Sequence, residues 1–425
     1  MIKVVLSAAS IVLGLGLELA FAVDIGSGVE FNGYFRSGAG QNSKGGAMTQ
    51  FVLPDADSQY RIGNEADTYG DFLFSKTAWQ SPDGSKFKLY FQTTVYGTDL
   101  SENTTFLNGT NLSVSQLYVE GKEIPELRGA SVWMGRRLYR REGIHILDMF
   151  YDNPSGTGGG IEGIQLFKGA NLAYAFFRNN MGANSANTNS GASRHDLQVR
   201  DIPLYFGGSL DLFGRYINSD GKGDDPTKDL SHDGYQLAVQ YTHLFKDLGT
   251  NKLYLAYGVG AGTGLGGNLG TGMAGRGSLE NGNDVKVVRA LDFFTFQLTR
   301  NFGGQLVAGY THNMSDAGDL DWYTVGGRLS YAFTDHLKLV GDVGHDQTKP
   351  QGQDSRSLTK VTIAPTISLG RDFWARPELR LYYTYATWNK AAQTAAAAGS
   401  PLSRTGAFGS DTNGSTYGVQ VEAWW

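Results

Sequence analysis

The chain has 425 residues, a formal net charge of −5 and no cysteine. So mild a charge argues against nucleic acid as a partner, and the missing cysteines exclude a disulfide framework and thiolate-based metal or catalytic sites. Glycine is abundant at 59 residues and proline scarce at 10, with 12% aromatic residues, a composition that suits many strands and turns.

The first predicted element is an export signal. Lys3 precedes an apolar run over 4–17, and Ala20-Phe21-Ala22 places small residues at both positions that direct cleavage. Removal of 1–22 leaves residues 23–425, read as a single domain. The apolar run is short for a bilayer span, and no later stretch reaches eighteen consecutive apolar residues.

From there the chain alternates. In 29–38, Val29, Phe31 and Phe35 fall on one side and Asn32, Tyr34 and Arg36 on the other. In 86–96, Phe87, Leu89 and Phe91 oppose Lys88, Tyr90 and Gln92. Similar segments follow over 161–167, 171–177, 204–216, 235–245, 252–259, 287–300, 305–312, 322–333, 337–343, 360–369 and 378–388. The last is 417–425, where Tyr417, Val419, Val421, Ala423 and Trp425 share a face while Gly418, Gln420, Glu422 and Trp424 share the other. Successive side chains of a strand point to opposite faces, so one face can meet lipid and the other water. The count comes to about eighteen strands of an all-β, antiparallel transmembrane barrel in a bacterial outer membrane. Tight connections at 245–247 and 333–336 contrast with long polar ones at 181–194, 219–232, 260–284 and 390–412. Short turns at one end and long extracellular loops at the other are expected of such a barrel.

The water-facing positions repeat one combination, an aromatic ring beside a charge. Tyr34 alternates with Arg36, Tyr69 with Asp71 after Arg61, and Trp424 with Glu422. A sugar ring has apolar C–H faces and a rim of hydroxyls, which such pairs match. Stacking adds about 0.5–1.5 kcal/mol beyond burial, and hydrogen bonds to charged groups about 1.5–3 kcal/mol. Several weak sites in series conduct where one tight site would trap. A lone aromatic reads equally well as part of a membrane girdle, but a girdle belongs on the other face of the strand.

Several segments resemble the maltoporins. They include Phe31-Asn32-Gly33-Tyr34-Phe35-Arg36-Ser37-Gly38, Tyr60-Arg61-Ile62-Gly63-Asn64-Glu65 and Gly135-Arg136-Arg137-Leu138-Tyr139-Arg140-Arg141. His145-Ile146-Leu147-Asp148, Phe373-Trp374-Ala375-Arg376-Pro377 and the closing Glu422-Ala423-Trp424-Trp425 continue the match, which is poor over 180–285. The resemblance implies an eighteen-stranded, homotrimeric sugar porin that passes maltose and maltodextrins by facilitated diffusion. Tyr34, Tyr69, Trp374 and Trp424 would be rungs of an aromatic slide; Arg36, Arg61, Asp71, Arg141 and Asp148 would be polar tracks. Residues 140–160 resemble the loop that folds into the lumen as the constriction, where an Arg141/Asp148 pair is expected. The family's constriction tyrosine falls on Phe150, the aspartate three residues later on Asn153, and a track arginine near Ser115. The rung lent by a neighbouring subunit falls around Phe106, and one expected near 250 has no clear counterpart.

Other readings are weaker. The seven histidines form no persuasive arrangement with a nucleophile, so no enzyme is expected. No cofactor is expected either, although the acidic run 220–225 has oxygens that could hold Ca²⁺. Arg136, Arg137, Arg140 and Arg141 would also suit an anion-preferring or general porin, and another oligosaccharide remains an alternative to maltodextrin.

Overall fold

The computed structural model describes residues 23–57, 59–97, 111–179, 191–205, 207–219, 232–264 and 278–425. The expected export signal, Phe106 and the acidic run 220–225 lie outside these residues.

Strand β1 (Val23–Asp24) is a two-residue piece that pairs with β2 (Glu30–Asn42). The wall continues through β3 (Thr68–Gln80), β4 (Lys86–Gly97), β5 (Asn111–Lys122) and β6 (Ser131–Arg137). Two short strands, β7 (Glu142–Ile144) and β8 (Met149–Asp152), then form a hairpin of their own. The wall resumes with β9 (Gly156–Phe167), β10 (Ala170–Asn179), β11 (Ala192–Pro203), β12 (Ser209–Ser219) and β13 (Gly234–Phe245). After β14 (Gly249–Gly260) come β15 (Lys286–Thr299), β16 (Phe302–Met314), β17 (Leu320–Ala332) and β18 (Leu337–Pro350). The chain ends through β19 (Arg356–Ser368), β20 (Glu378–Trp388) and β21 (Asn413–Trp424). Eighteen of these, β2 to β6 and β9 to β21, make the wall, each antiparallel to its neighbours. Strand β21 pairs back onto β2, Tyr34 opposite Trp424 and Arg36 opposite Glu422, so the barrel is closed. Closure leaves no sheet edge unpaired, the condition for crossing a bilayer with strands. No helix among the described residues is long and apolar enough to cross a membrane.

Alternation is clearest on β20, where Leu379, Leu381, Tyr383 and Tyr385 are exposed on the outer face while Arg380, Tyr382 and Thr384 are buried inside. Three boundaries differ from the sequence reading. The segment read as one strand over 204–216 begins with a turn: Gly207 donates to the Leu204 carbonyl at 3.1 Å, Gly207 and Gly208 both have positive φ, and the strand starts at Ser209. Ala192 to Arg194, read as loop, already belong to β11. The glycine run 156–160, read as the exit of the constriction loop, opens β9 instead.

The interior was expected to be wet, and part of it is dry. The segment 138–155 folds into the barrel and buries Ile144, Ile146, Leu147, Met149 and Tyr151 against inward apolar side chains of the far wall, among them Phe213, Leu291, Val307 and Trp322. A second segment, 43–67, also folds inward, which the sequence reading did not anticipate. Its Phe51, Leu53, Tyr60 and Ile62 are buried at 2% exposure or less. The two segments touch: the Arg61 amide donates to the Ile146 carbonyl at 3.1 Å. Tyr60 hydrogen-bonds Thr324 on β17 at 2.9 Å, and its ring lies where Gly326 and Gly344 carry no side chain.

A Cβ at Gly344 would overlap that ring. Gly344→Ala should therefore displace Tyr60 and cost about 1–3 kcal/mol, the usual range for overpacking, seen as a lower unfolding temperature of the purified barrel. An unchanged midpoint would show that segment 43–67 does not depend on this niche.

Candidate functional site

The seam between β21 and β2 brings the sequence-predicted residues together. Tyr34 and Trp424 face each other across it, and on β3 Tyr69 and Asp71 sit opposite Arg36 and Tyr34. Ring centroids run 5.9 Å from Tyr69 to Tyr34, 6.5 Å from Tyr34 to Trp424 with planes 18° apart, and 6.1 Å from Trp424 to Trp374. Trp374 is supplied by the turn 369–377 at the short-turn end. All three steps lie within the spacing of interacting rings, so the four aromatics form one unbroken line. A hollow of about 330 Å³ opens beside its end, lined by Trp374, Phe373, Phe293, Phe296, Lys252 and Asp372 among others.

The line is only partly open. Tyr34 and Trp374 are 5% and 6% exposed, whereas Tyr69 and Trp424 retain more accessible surface. The cover is His145, whose ring sits edge-on to Trp374 at 5.2 Å and to Trp424 at 5.7 Å. The Arg376 guanidinium lies 4.3 Å from the Trp424 ring centroid, a cation–π contact that fixes the indole.

An ion network runs beside the rings. Arg36 binds Asp67 at 2.9 Å, Glu65 at 2.9 Å and Asp148 at 3.1 Å. Arg61 binds Glu65 at 2.5 Å and Glu422 at 3.2 Å and donates to the Tyr34 hydroxyl. Glu422 also receives Arg376 at 2.9 Å and Arg380 at 2.8 Å, and Glu378 pairs with Lys338 at 2.7 Å. Five cations (Arg36, Arg61, Arg376, Arg380, Lys338) thus meet five carboxylates (Glu65, Asp67, Asp148, Glu378, Glu422), which offsets the cost of taking each charge out of water. Asp148 was expected to pair with Arg141 and does not. It has φ 51° and caps the turn His145–Leu147, which turns its carboxylate toward Arg36 and Arg61. Burial opposes ionisation of Asp148, but Arg61 and Arg36 outweigh it and hold the carboxyl below the usual range.

Arg141 instead lies over the Phe150 ring, 4.3 Å from its centroid. The Tyr69 hydroxyl donates to Asp71 at 2.9 Å, and the Thr94 hydroxyl bridges Asp71 and Ser115, the latter at 2.8 Å. Ser115 is thereby linked to Asp71 through Thr94. Tyr254, an inward aromatic near position 250, packs on Tyr151 at 4.7 Å and is off the line. On the far wall, Asp152 pairs with Arg215, the Tyr151 hydroxyl donates to Gln240 at 2.7 Å, and Glu142 binds Arg200 at 3.1 Å and Lys252 at 3.0 Å. Segment 138–155 is thereby anchored to both sides of the barrel. The sequence reading did not single out Glu65, Asp67, Arg376 or Glu378. Arg376 could have been found, since it lies two residues from Trp374.

The LamB porin family model matches residues 29–425. This chain belongs to the LamB porin family. Among solved structures, OccAB1 of Acinetobacter baumannii is similar over 96% of this chain and 99% of that one, at 10% identity and a TM-score of 0.50. OpdK, an outer membrane protein of Pseudomonas aeruginosa, matches 93% of this chain and 99% of its own at 11% identity and a TM-score of 0.47. The likeness to OccAB1 is one of fold. Membership of the LamB porins and the closed barrel indicate a channel and point to the bacterial outer membrane.

His145 is expected to make the stability of this LamB porin depend on pH. Its Nδ1 is 2.9 Å from Arg61, which can only donate, and its Nε2 lies 3.5 Å from Arg376 and 3.4 Å from Glu422. Burial drives its pKa down to about 3; Glu422 pulls the other way, and Arg61 and Arg328 add to the fall. The unfolded chain takes up this proton near 6.5 and the folded chain only near 3, so stability falls as pH drops through that window. The unfolding temperature should be lower at about pH 4.5, inside that window, than at about pH 7, above it, and His145→Asn should shrink the difference. Equal differences in both proteins would remove His145 as the source.

Proposed function

We propose that the chain is a sugar-selective channel of the outer membrane, passing maltose and maltodextrins down their gradient as a homotrimer. The observation that carries this reading is the unbroken line Tyr69–Tyr34–Trp424–Trp374 beside a charge-balanced network. Tyr69 and Trp424, which keep accessible surface, offer apolar faces to glucosyl units, and the buried Tyr34 and Trp374 continue the line. Arg36, Arg61, Asp71, Arg141, Asp148 and the hydroxyls of Thr94 and Ser115 offer donors and acceptors to the sugar rim. Each contact is weak, so a chain can advance one ring at a time without being trapped. Segment 138–155, with Phe150 at the waist, sets the narrowest passage, and the hollow beside Trp374 receives the leading ring at the short-turn, periplasmic end. Neither a cofactor nor an energy source enters the cycle.

Removing a rung should weaken binding by the stacking contribution alone. Trp374→Ala and Trp424→Ala are each expected to raise the maltohexaose concentration that half-blocks ion current by roughly three- to tenfold, with the open-channel conductance nearly unchanged. Current through the purified protein in a planar bilayer reads both quantities. If both variants are blocked as well as the unaltered channel, the aromatic line is not the sugar path.

A further inference from the structure

Arg141 stands apart from the other cations of the waist. Arg36 and Arg61 share Glu65, Asp148 and Glu422 with their neighbours, Arg137 and Arg140 share Glu162, and Arg200 takes Glu142. Arg141 is 8% exposed, yet among the described residues it makes no hydrogen bond and no ion pair, and its Nε is enclosed without an acceptor. It lies over the Phe150 ring, which stabilises a cation but accepts no hydrogen bond. Asn153, the nearby position where the resemblance expects an aspartate, spends its carbonyl oxygen on the Ser155 hydroxyl at 2.7 Å. A guanidinium has five donors and needs acceptors or a counter-charge when taken out of water. The position is not a bare anion site either. Arg141 lies close enough to Tyr69 for its charge to act on that phenol, and Tyr69 begins the aromatic line next to Asp71 and Thr94.

We propose that Arg141 makes the waist a recognition site for sugars that carry a carboxylate, uronic acid residues in particular. The proposal rests on the sugar-channel reading and narrows its substrate class. The sugar ring stacks at Tyr69 while its carboxylate takes the planar guanidinium in a two-point pair, a geometry that arginine provides and lysine does not. A neutral glucosyl unit meets the same rings but leaves the guanidinium with hydroxyls alone.

The test compares block of ion current by trigalacturonate and by maltotriose, sugars of equal length, through the purified full-length protein in a planar bilayer. The acidic sugar should block the unaltered channel at a concentration at least about tenfold lower than the neutral one, as a charge-assisted pair predicts. Arg141→Gln should bring that ratio close to one, and Arg141→Lys, which keeps the charge without the fork, should leave it in between. The open-channel conductance of each variant shows that it is folded and inserted. Equal block by both sugars in the unaltered channel, or a ratio that Arg141→Gln leaves in place, overturns the assignment. Block by maltotriose alone overturns it while sparing the sugar-channel reading; block by neither sugar removes both.

Discussion

Closure of the barrel between its first and last wall strands is the constraint on which the site depends. The register that sets Tyr34 opposite Trp424 also sets Arg36 opposite Glu422, so one pairing fixes both the stacking surface and the charge beside it. Glu422 then collects Arg61, Arg376 and Arg380, one from an inward loop, one from the turn that carries Trp374 and one from the adjacent strand. A slip of one residue would send all of these side chains into lipid, where unpaired charges are strongly disfavoured. The ion network is therefore a register lock as well as the charged side of the candidate site.

The two inward segments divide the rest of the work. Segment 43–67 brings Arg61, Glu65 and Asp67 to the seam and leans on β15 to β19 through Tyr60 and its partners. Segment 138–155 brings His145 and Asp148 to the same seam and fastens its other end to the far wall. Neither segment holds its place alone: the Arg61–His145 contact and the backbone bond from Arg61 to Ile146 join them. Arg141 and Phe150 stand next to the residues, Glu142, Tyr151 and Asp152, that tie this segment to the far wall.

Much of this was legible in the sequence because strand parity is a strong signal. Trp424 on a face otherwise small or polar, with Arg36 and Tyr34 in step, marks the residues that meet across the closing seam, and about eighteen alternating segments mark the wall. Parity fails where the chain leaves the sheet. The resemblance of the constriction loop puts Asp148 with Arg141, but its left-handed backbone turns it the other way. The inward fold of 43–67 left no periodic trace: Phe51, Leu53, Tyr60 and Ile62 are irregularly spaced, and Tyr60 finds its hydroxyl partner 264 residues away. The strand read over 204–216 overran its start because Leu204 and Tyr205 are apolar enough to extend the pattern, and only the two glycines after them mark the turn.

The dry part of the lumen changes how such a molecule comes apart. In a pipe with water on its inner face, a loop could melt while the wall stayed intact, since the two would share few contacts. Here Ile144, Ile146, Leu147 and Met149 share one apolar core with Phe213, Leu291, Val307 and Trp322 of the wall. Opening the constriction exposes wall side chains to water, and loosening those strands leaves the constriction without a floor. Loop and barrel belong to a single cooperative unit, more like the interior of a water-soluble domain than the lining of a tube.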